Sequence, residues 1–96
     1  MSLLAKISFE SQLLLELKTE LPGGFNDLQR ILSRIGDYNV EIWEEHYFRE
    51  PDRRGSWSYR RLEMKLWIQK HDYQPLANCL GKLDGVPISL KRIAPF

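Results

Sequence analysis

Between Arg61 and Ile68 the chain alternates without a break. Leu62, Met64, Leu66 and Ile68 fall on one side, and Arg61, Glu63, Lys65 and Trp67 on the other. A period of two over this length fits a strand with one buried and one wet face; a helix would scatter the same side chains around its circumference. Upstream, Val40 and Ile42 alternate with Glu41 and Trp43, and Glu44, Glu45, His46, Tyr47 and Phe48 follow less regularly. The β-branched and aromatic content favours a second strand. Glu50 to Ser56 lies between the two, with Pro51 to break regular structure and Gly55 to permit positive φ, so it reads as a loop. A connection this short cannot make a parallel crossover, so Val40–Ile68 is predicted to be an antiparallel hairpin.

The hairpin divides the rest of the chain into two matching halves. In the first, Leu13 to Thr19 reads as a strand, with Leu13, Leu15 and Leu17 opposed to Leu14, Glu16 and Lys18, although leucine and glutamate also favour helix. Pro22-Gly23-Gly24 ends it. Phe25, Leu28, Ile31, Leu32 and Ile35 then form one stripe of an amphipathic helix, with Asp27, Gln29, Arg30 and Arg34 on the polar side and Gly36 as the stop. In the second half, Lys70-His71-Asp72 reads as a turn with Asp72 as helix cap. Tyr73, Leu76, Leu80 and Leu83 form the stripe, Gly81 weakens the helix by about 1 kcal/mol, and Gly85 closes it. Val86 to Ile93 reads as a last strand that is an edge or starts after Pro87. Strand, helix, strand, strand, helix, strand gives an α+β, ferredoxin-like βαββαβ fold: a four-stranded antiparallel sheet with two helices on one face. The other face is left open. Trp43 and Trp67 are expected there, and a homodimer is expected to cover them.

Ninety-six residues make one domain, 1–96, in which residues 1–12 read as a lead-in strand (Ile7–Glu10) or as a tag or linker. A 43% hydrophobic and 28% charged composition favours a folded globule over a disordered tail. A net charge of +1 supplies no global field toward nucleic acid or membrane. Lys6 and Glu10 interrupt any signal-peptide core, and no apolar run approaches the roughly 18 residues of a membrane span. One cysteine, Cys79, cannot form an internal disulfide, which fits a reducing compartment; the expected location is the cytoplasm.

Two stretches carry chemistry. Gly23 and Gly24 precede a helix, whose free N–H groups can hold a carboxylate or phosphate; the plainer reading is a strand-to-helix turn. In the hairpin, Arg49, Arg53, Arg54, Arg60 and Arg61 lie among Tyr47, Phe48, Trp57 and Tyr59, a mixture suited to stacking on bases and pairing with phosphates. Trp43, Trp67, Arg53, Arg54 and Trp57 are therefore the residues expected at an interface or, alternatively, at RNA. Glu44, Glu45, Glu50 and Asp52 dilute that charge, and Arg54–Tyr59 misses the aromatic register of an RNA-recognition motif. Glu44 and His46 share a strand face, but with His71 and Cys79 elsewhere they make no zinc pattern. No nucleophile elbow or triad is present, so no enzyme activity and no cofactor are expected.

The chain resembles an ACT domain, most closely the carboxy-terminal ACT domains of RelA/SpoT-type alarmone synthetase/hydrolases. Glu20-Leu21-Pro22-Gly23-Gly24-Phe25 matches the ACT turn between first strand and first helix, with Leu21 where a basic residue is usual. Leu80-Gly81-Lys82-Leu83-Asp84-Gly85-Val86-Pro87, followed by Leu90-Lys91-Arg92, and the strand Leu62–Ile68 are similar to the corresponding parts of those enzymes. The cytoplasmic ACT-like domain of MgtC-type membrane proteins is the alternative. The resemblance implies a non-catalytic regulatory module that dimerises and binds a small effector or a partner domain, within a larger protein. It also implies Gly23, Gly24, Phe25 and Asn26 as the ligand-binding residues.

Overall fold

The computed structural model describes residues 12–94, so the lead-in segment Ile7–Glu10 lies outside the described residues. Six elements follow in order: β1 (Gln12–Glu20), α1 (Phe25–Gly36), β2 (Val40–Pro51), β3 (Trp57–Gln69), α2 (Lys70–Gly81) and β4 (Ile88–Ala94). They form one sheet in the order β2-β3-β1-β4, with every neighbouring pair antiparallel. This is the ferredoxin-like βαββαβ arrangement.

The alternation in β3 is what fixes the layers. Leu62, Met64, Leu66 and Ile68 are buried, and the register sets Leu15 opposite Leu66 and Leu17 opposite Met64. These side chains meet Leu28, Ile31 and Ile35 of α1 and Leu76 and Leu80 of α2 in one core. Each fully buried leucine contributes about 2 kcal/mol by leaving water, so β1 and β3 hold most of the sheet's share of that stabilisation. Both helices therefore cover one face, and among the described residues no helix covers the opposite one.

Several sequence expectations shift by a turn. Phe25 does not join the buried stripe of α1; it is 54% exposed, while Asp27, expected on the polar side, is buried. The reason lies in the turn before the helix, described below. α2 starts directly from β3, with Gln69 in extended conformation as its cap, so Asp72 sits in the first turn instead of capping it. Gly81 ends α2 rather than interrupting it. Leu83 is then buried from the following turn, beyond the Lys82 cap. Pro75 lies inside α2 and offers no N–H to the carbonyl of His71. β4 is an edge strand and starts just after Pro87.

The hairpin outgrows the rest of the sheet. β2 and β3 run 12 and 13 residues, against 9 for β1 and 7 for β4. Trp57, Ser58 and Tyr59 pair with β2 beyond the last β1 partner, Arg61, which opposes Glu20. The molecule is correspondingly elongated, 53 × 27 × 23 Å. Among the described residues, no helix is long and apolar enough to cross a membrane.

Candidate functional site

The glycine turn is occupied by the protein's own acid. Gly24 takes φ +61°, a conformation that glycine adopts without strain, and its N–H donates to the Leu21 carbonyl at 2.9 Å. Its carbonyl accepts from the Leu28 N–H at 3.1 Å and so opens α1. The Gly23 N–H donates to Oδ2 of Asp27 at 2.6 Å, and Arg30 Nη1 donates to Oδ1 at 3.2 Å. A carboxylate arriving at Gly23 would meet this carboxylate. The bond from Gly23 draws Asp27 inward, and it is the physical reason that the residue is buried. A β-carbon at Gly23 would fall within 2.8 Å of Asp27 Oδ1, so the position needs glycine for close approach. Phe25 leans outward with its ring 6.0 Å from Tyr59. Asn26 lines a shallow, open hollow of about 380 Å³ with Gln29, Arg30, Ser33 and Arg34.

The hairpin carries most of the exposed apolar surface. Of six large exposed hydrophobic side chains among the described residues, Ile42, Trp43, Tyr47, Phe48 and Trp57 belong to it; the sixth is Phe25. Every residue of β2 after Val40 is exposed. A register shift falls at Trp43, between Ile42 opposite Leu66 and Glu44 opposite Lys65, so the bulge interrupts the alternation there. Trp43 and Trp67 stand side by side on the open face, with ring centroids 6.4 Å apart. Arg61 sits 4.1 Å over the ring of Phe48, and Arg49 5.8 Å over Tyr59. Tyr47 meets Tyr59 edge-on at 6.1 Å and donates to Glu45 Oε2 at 2.8 Å. Partial burial, and then that bond to the Glu45 carboxylate, push the Tyr47 hydroxyl up to about 12.

The tip is a built turn. Asp52 Oδ1 accepts from the N–H groups of Arg54 at 2.8 Å and Ser56 at 3.0 Å, and Gly55 takes φ +82°. Arg53, Arg54 and Trp57 all project into solvent there, Trp57 at 65% exposure. They are separated along the hairpin from the Trp43–Trp67 pair, which lies toward its base. The residues expected at an interface therefore fall into two groups, linked by Tyr47 and Phe48, which the sequence set among the arginines of the hairpin but which were not among the expected interface residues. Their signal was the adjacent Tyr47-Phe48 pair in an outer strand, which puts an aromatic on each face.

Away from the tryptophans the open face neutralises itself. Lys65 lies 3.6 Å from Glu44, Lys18 3.8 Å from Glu16, and Arg61 3.4 Å from Glu63. His46 and Glu44 share this face, as expected, at 4.0 Å. A depression of about 170 Å³ opens among them. No cluster of three or more potential metal ligands forms among the described residues.

No protein-family model matches the chain, and no curated protein matches it in sequence. Among solved structures, it is similar to a protein of unknown function from Galdieria sulphuraria, with a TM-score of 0.73 and 17% identity over 88% of this chain and 51% of that one. The chain thus spans about half the length of that structure. It is also similar to a DUF3240 family protein from Shewanella baltica (TM-score 0.44, 13% identity, 90% and 93% of the two chains). A formyltetrahydrofolate deformylase from Pseudomonas putida gives a TM-score of 0.44 and 18% identity over 88% of this chain and 29% of that one. At these identities the likeness is one of fold alone, and it rests on the Galdieria structure.

Proposed function

We propose that this chain is a non-catalytic, ACT-like regulatory module that dimerises and acts by contact with a partner domain or a small effector. The observation that carries this reading is the placement of exposed apolar side chains: among the described residues, five of the six large ones lie on the hairpin, four of them on its outer strand β2, and none of the five belongs to the buried core. Large apolar groups held in water at one place favour association when another surface covers them. The partner half of the reading has more support than the effector half, because Asp27 already takes the Gly23 N–H. An effector would sit instead beside Asn26, against Arg30 and Arg34. Thermal-shift measurements with amino acids and nucleotides test this: a rise in Tm that Arg34→Ala abolishes supports an effector, and a flat response across the set removes that half.

RNA binding through the hairpin tip is the second reading, favoured by exposed Arg53 and Arg54 beside Trp57. It predicts affinity for single-stranded RNA that falls with salt and weakens when Arg53 and Arg54 become alanine. Absence of binding at low salt removes it.

A further inference from the structure

We infer that Ser56, at the tip of the hairpin, is a phosphorylation site for an arginine-directed serine kinase. The inference goes beyond the function proposed above and holds under either reading of it. The stretch Arg53-Arg54-Gly55-Ser56-Trp57 carries it, together with its place in the fold. β2 ends at Pro51 and β3 starts at Trp57, so residues 52–56 lie outside the ladder. None of them is buried, and β1 reaches only as far as Arg61 of β3. The tip can therefore open without disturbing the core, as sites of enzymatic modification on folded proteins require. Ser56 and both arginines are exposed, and among the described residues neither guanidinium forms an ion pair. The other described serine and threonine hydroxyls lack this combination. Thr19 is buried, Ser33 follows Arg30 but sits inside α1, and Ser58 and Ser89 are paired in strands.

Each side chain of the stretch has a part in recognition. A guanidinium offers two parallel N–H donors to a carboxylate, so Arg53 and Arg54 hold the hydroxyl at a fixed distance from an acid-lined cleft. Gly55 puts no side chain between them and the serine, and Trp57, 65% exposed, offers a large apolar group just beyond it. The donor is a nucleoside triphosphate. Oγ of Ser56 attacks the γ-phosphorus, the bond from that phosphorus to the β,γ-bridging oxygen breaks, the diphosphate leaves, and the hydroxyl proton passes to the kinase's carboxylate base. Asp52 restrains the reaction. Its Oδ1 accepts from the N–H groups of Arg54 and Ser56, its N–H donates to the Ser56 carbonyl at 2.7 Å, and its carbonyl accepts from Gly55 at 3.0 Å. Presenting the arginines and the hydroxyl in extended form requires these bonds to open. The product has an electrostatic consequence. Residues 49–60 carry four arginines against Glu50 and Asp52. A phosphate, with about −1.5 to −2 charge near pH 7, cancels that surplus and removes the positive field at the tip.

Incubating the whole chain with a purified arginine-directed serine kinase and adenosine triphosphate, and locating the phosphate by mass spectrometry, tests the inference. Circular dichroism checks that each variant is folded. Wild type is expected to gain one phosphate, on Ser56, and Ser56→Ala none. Arg53→Ala and Arg54→Ala are each expected to slow the modification by about tenfold, the loss of one charge-assisted pair. Asp52→Ala, which releases the turn, is expected to speed it several-fold. Wild type that takes up no phosphate, or takes it up on Ser33, Ser58 or Ser89, overturns the inference. So does a rate at Ser56 that neither arginine substitution changes. A rate that Asp52→Ala leaves unchanged or lowers overturns the opening of the turn while the site itself stands.

Discussion

β2 and β3 are partners in one hairpin, yet they do opposite work. β3 buries Leu62, Met64, Leu66 and Ile68 and is paired on both sides. β2 is paired on one side and exposed along nearly its whole length. Its Ile42, Trp43, Tyr47 and Phe48 are also large and mainly apolar, yet they stay exposed, with no helix over them among the described residues. The difference teaches that hydrophobicity in this chain has two destinations. In β3 it stabilises the monomer, and in β2 it is available to another surface.

The sharpest way to break this contrast is to truncate one leucine or isoleucine in each strand. Leu66→Ala, which opens a cavity between Leu15 and the helices, is expected to lower unfolding free energy by about 2–5 kcal/mol. Ile42→Ala, directly opposite Leu66 in the register, is expected to cost under about 1 kcal/mol in dilute protein. Equal losses in denaturant titrations would remove the distinction. A smaller effect belongs to the other strand-to-helix turn. Asp27→Ala leaves the Gly23 N–H without its acceptor and is expected to destabilise by about 1–2 kcal/mol. Asp27→Asn retains an acceptor oxygen and should recover part of the loss. The smallest effect is on Tyr47. Its hydroxyl is held protonated up to about 12, so the favourable contribution is complete below the ordinary tyrosine value near 10 and fades as pH rises through about 12. An absorbance titration should show Tyr47 ionising well above the ordinary tyrosine range, and Glu45→Gln should bring it down.

Where a single physical rule governed a segment, the sequence was readable. Strict alternation in β3, three-and-four spacing in α1 and the break at Pro22-Gly23-Gly24 gave the element order, the sheet and the covered face. The sequence also placed Trp43 and Trp67 together on the open side. What it did not show came from residues engaging one another across a turn. Asp27 looks like a solvated helix acid until Gly23 is seen to approach it. Asp72 looks like a cap, but β3 runs into α2 without a loop and Gln69 takes that position. The bulge at Trp43 hides the faces of β2, because one added residue shifts every later side chain relative to its neighbours. The ligand residues implied by the ACT resemblance were placed by motif alone, which cannot reveal that an internal carboxylate already sits at the turn.

Residue-level amide hydrogen exchange, at dilute and at concentrated protein, tests the central claim most directly. The account predicts slow exchange in β1 and β3 at both concentrations, with β2 faster than either when dilute and protected when concentrated. Protection of β2 that is unchanged by concentration, or a concentration-dependent gain confined to β4, would contradict it.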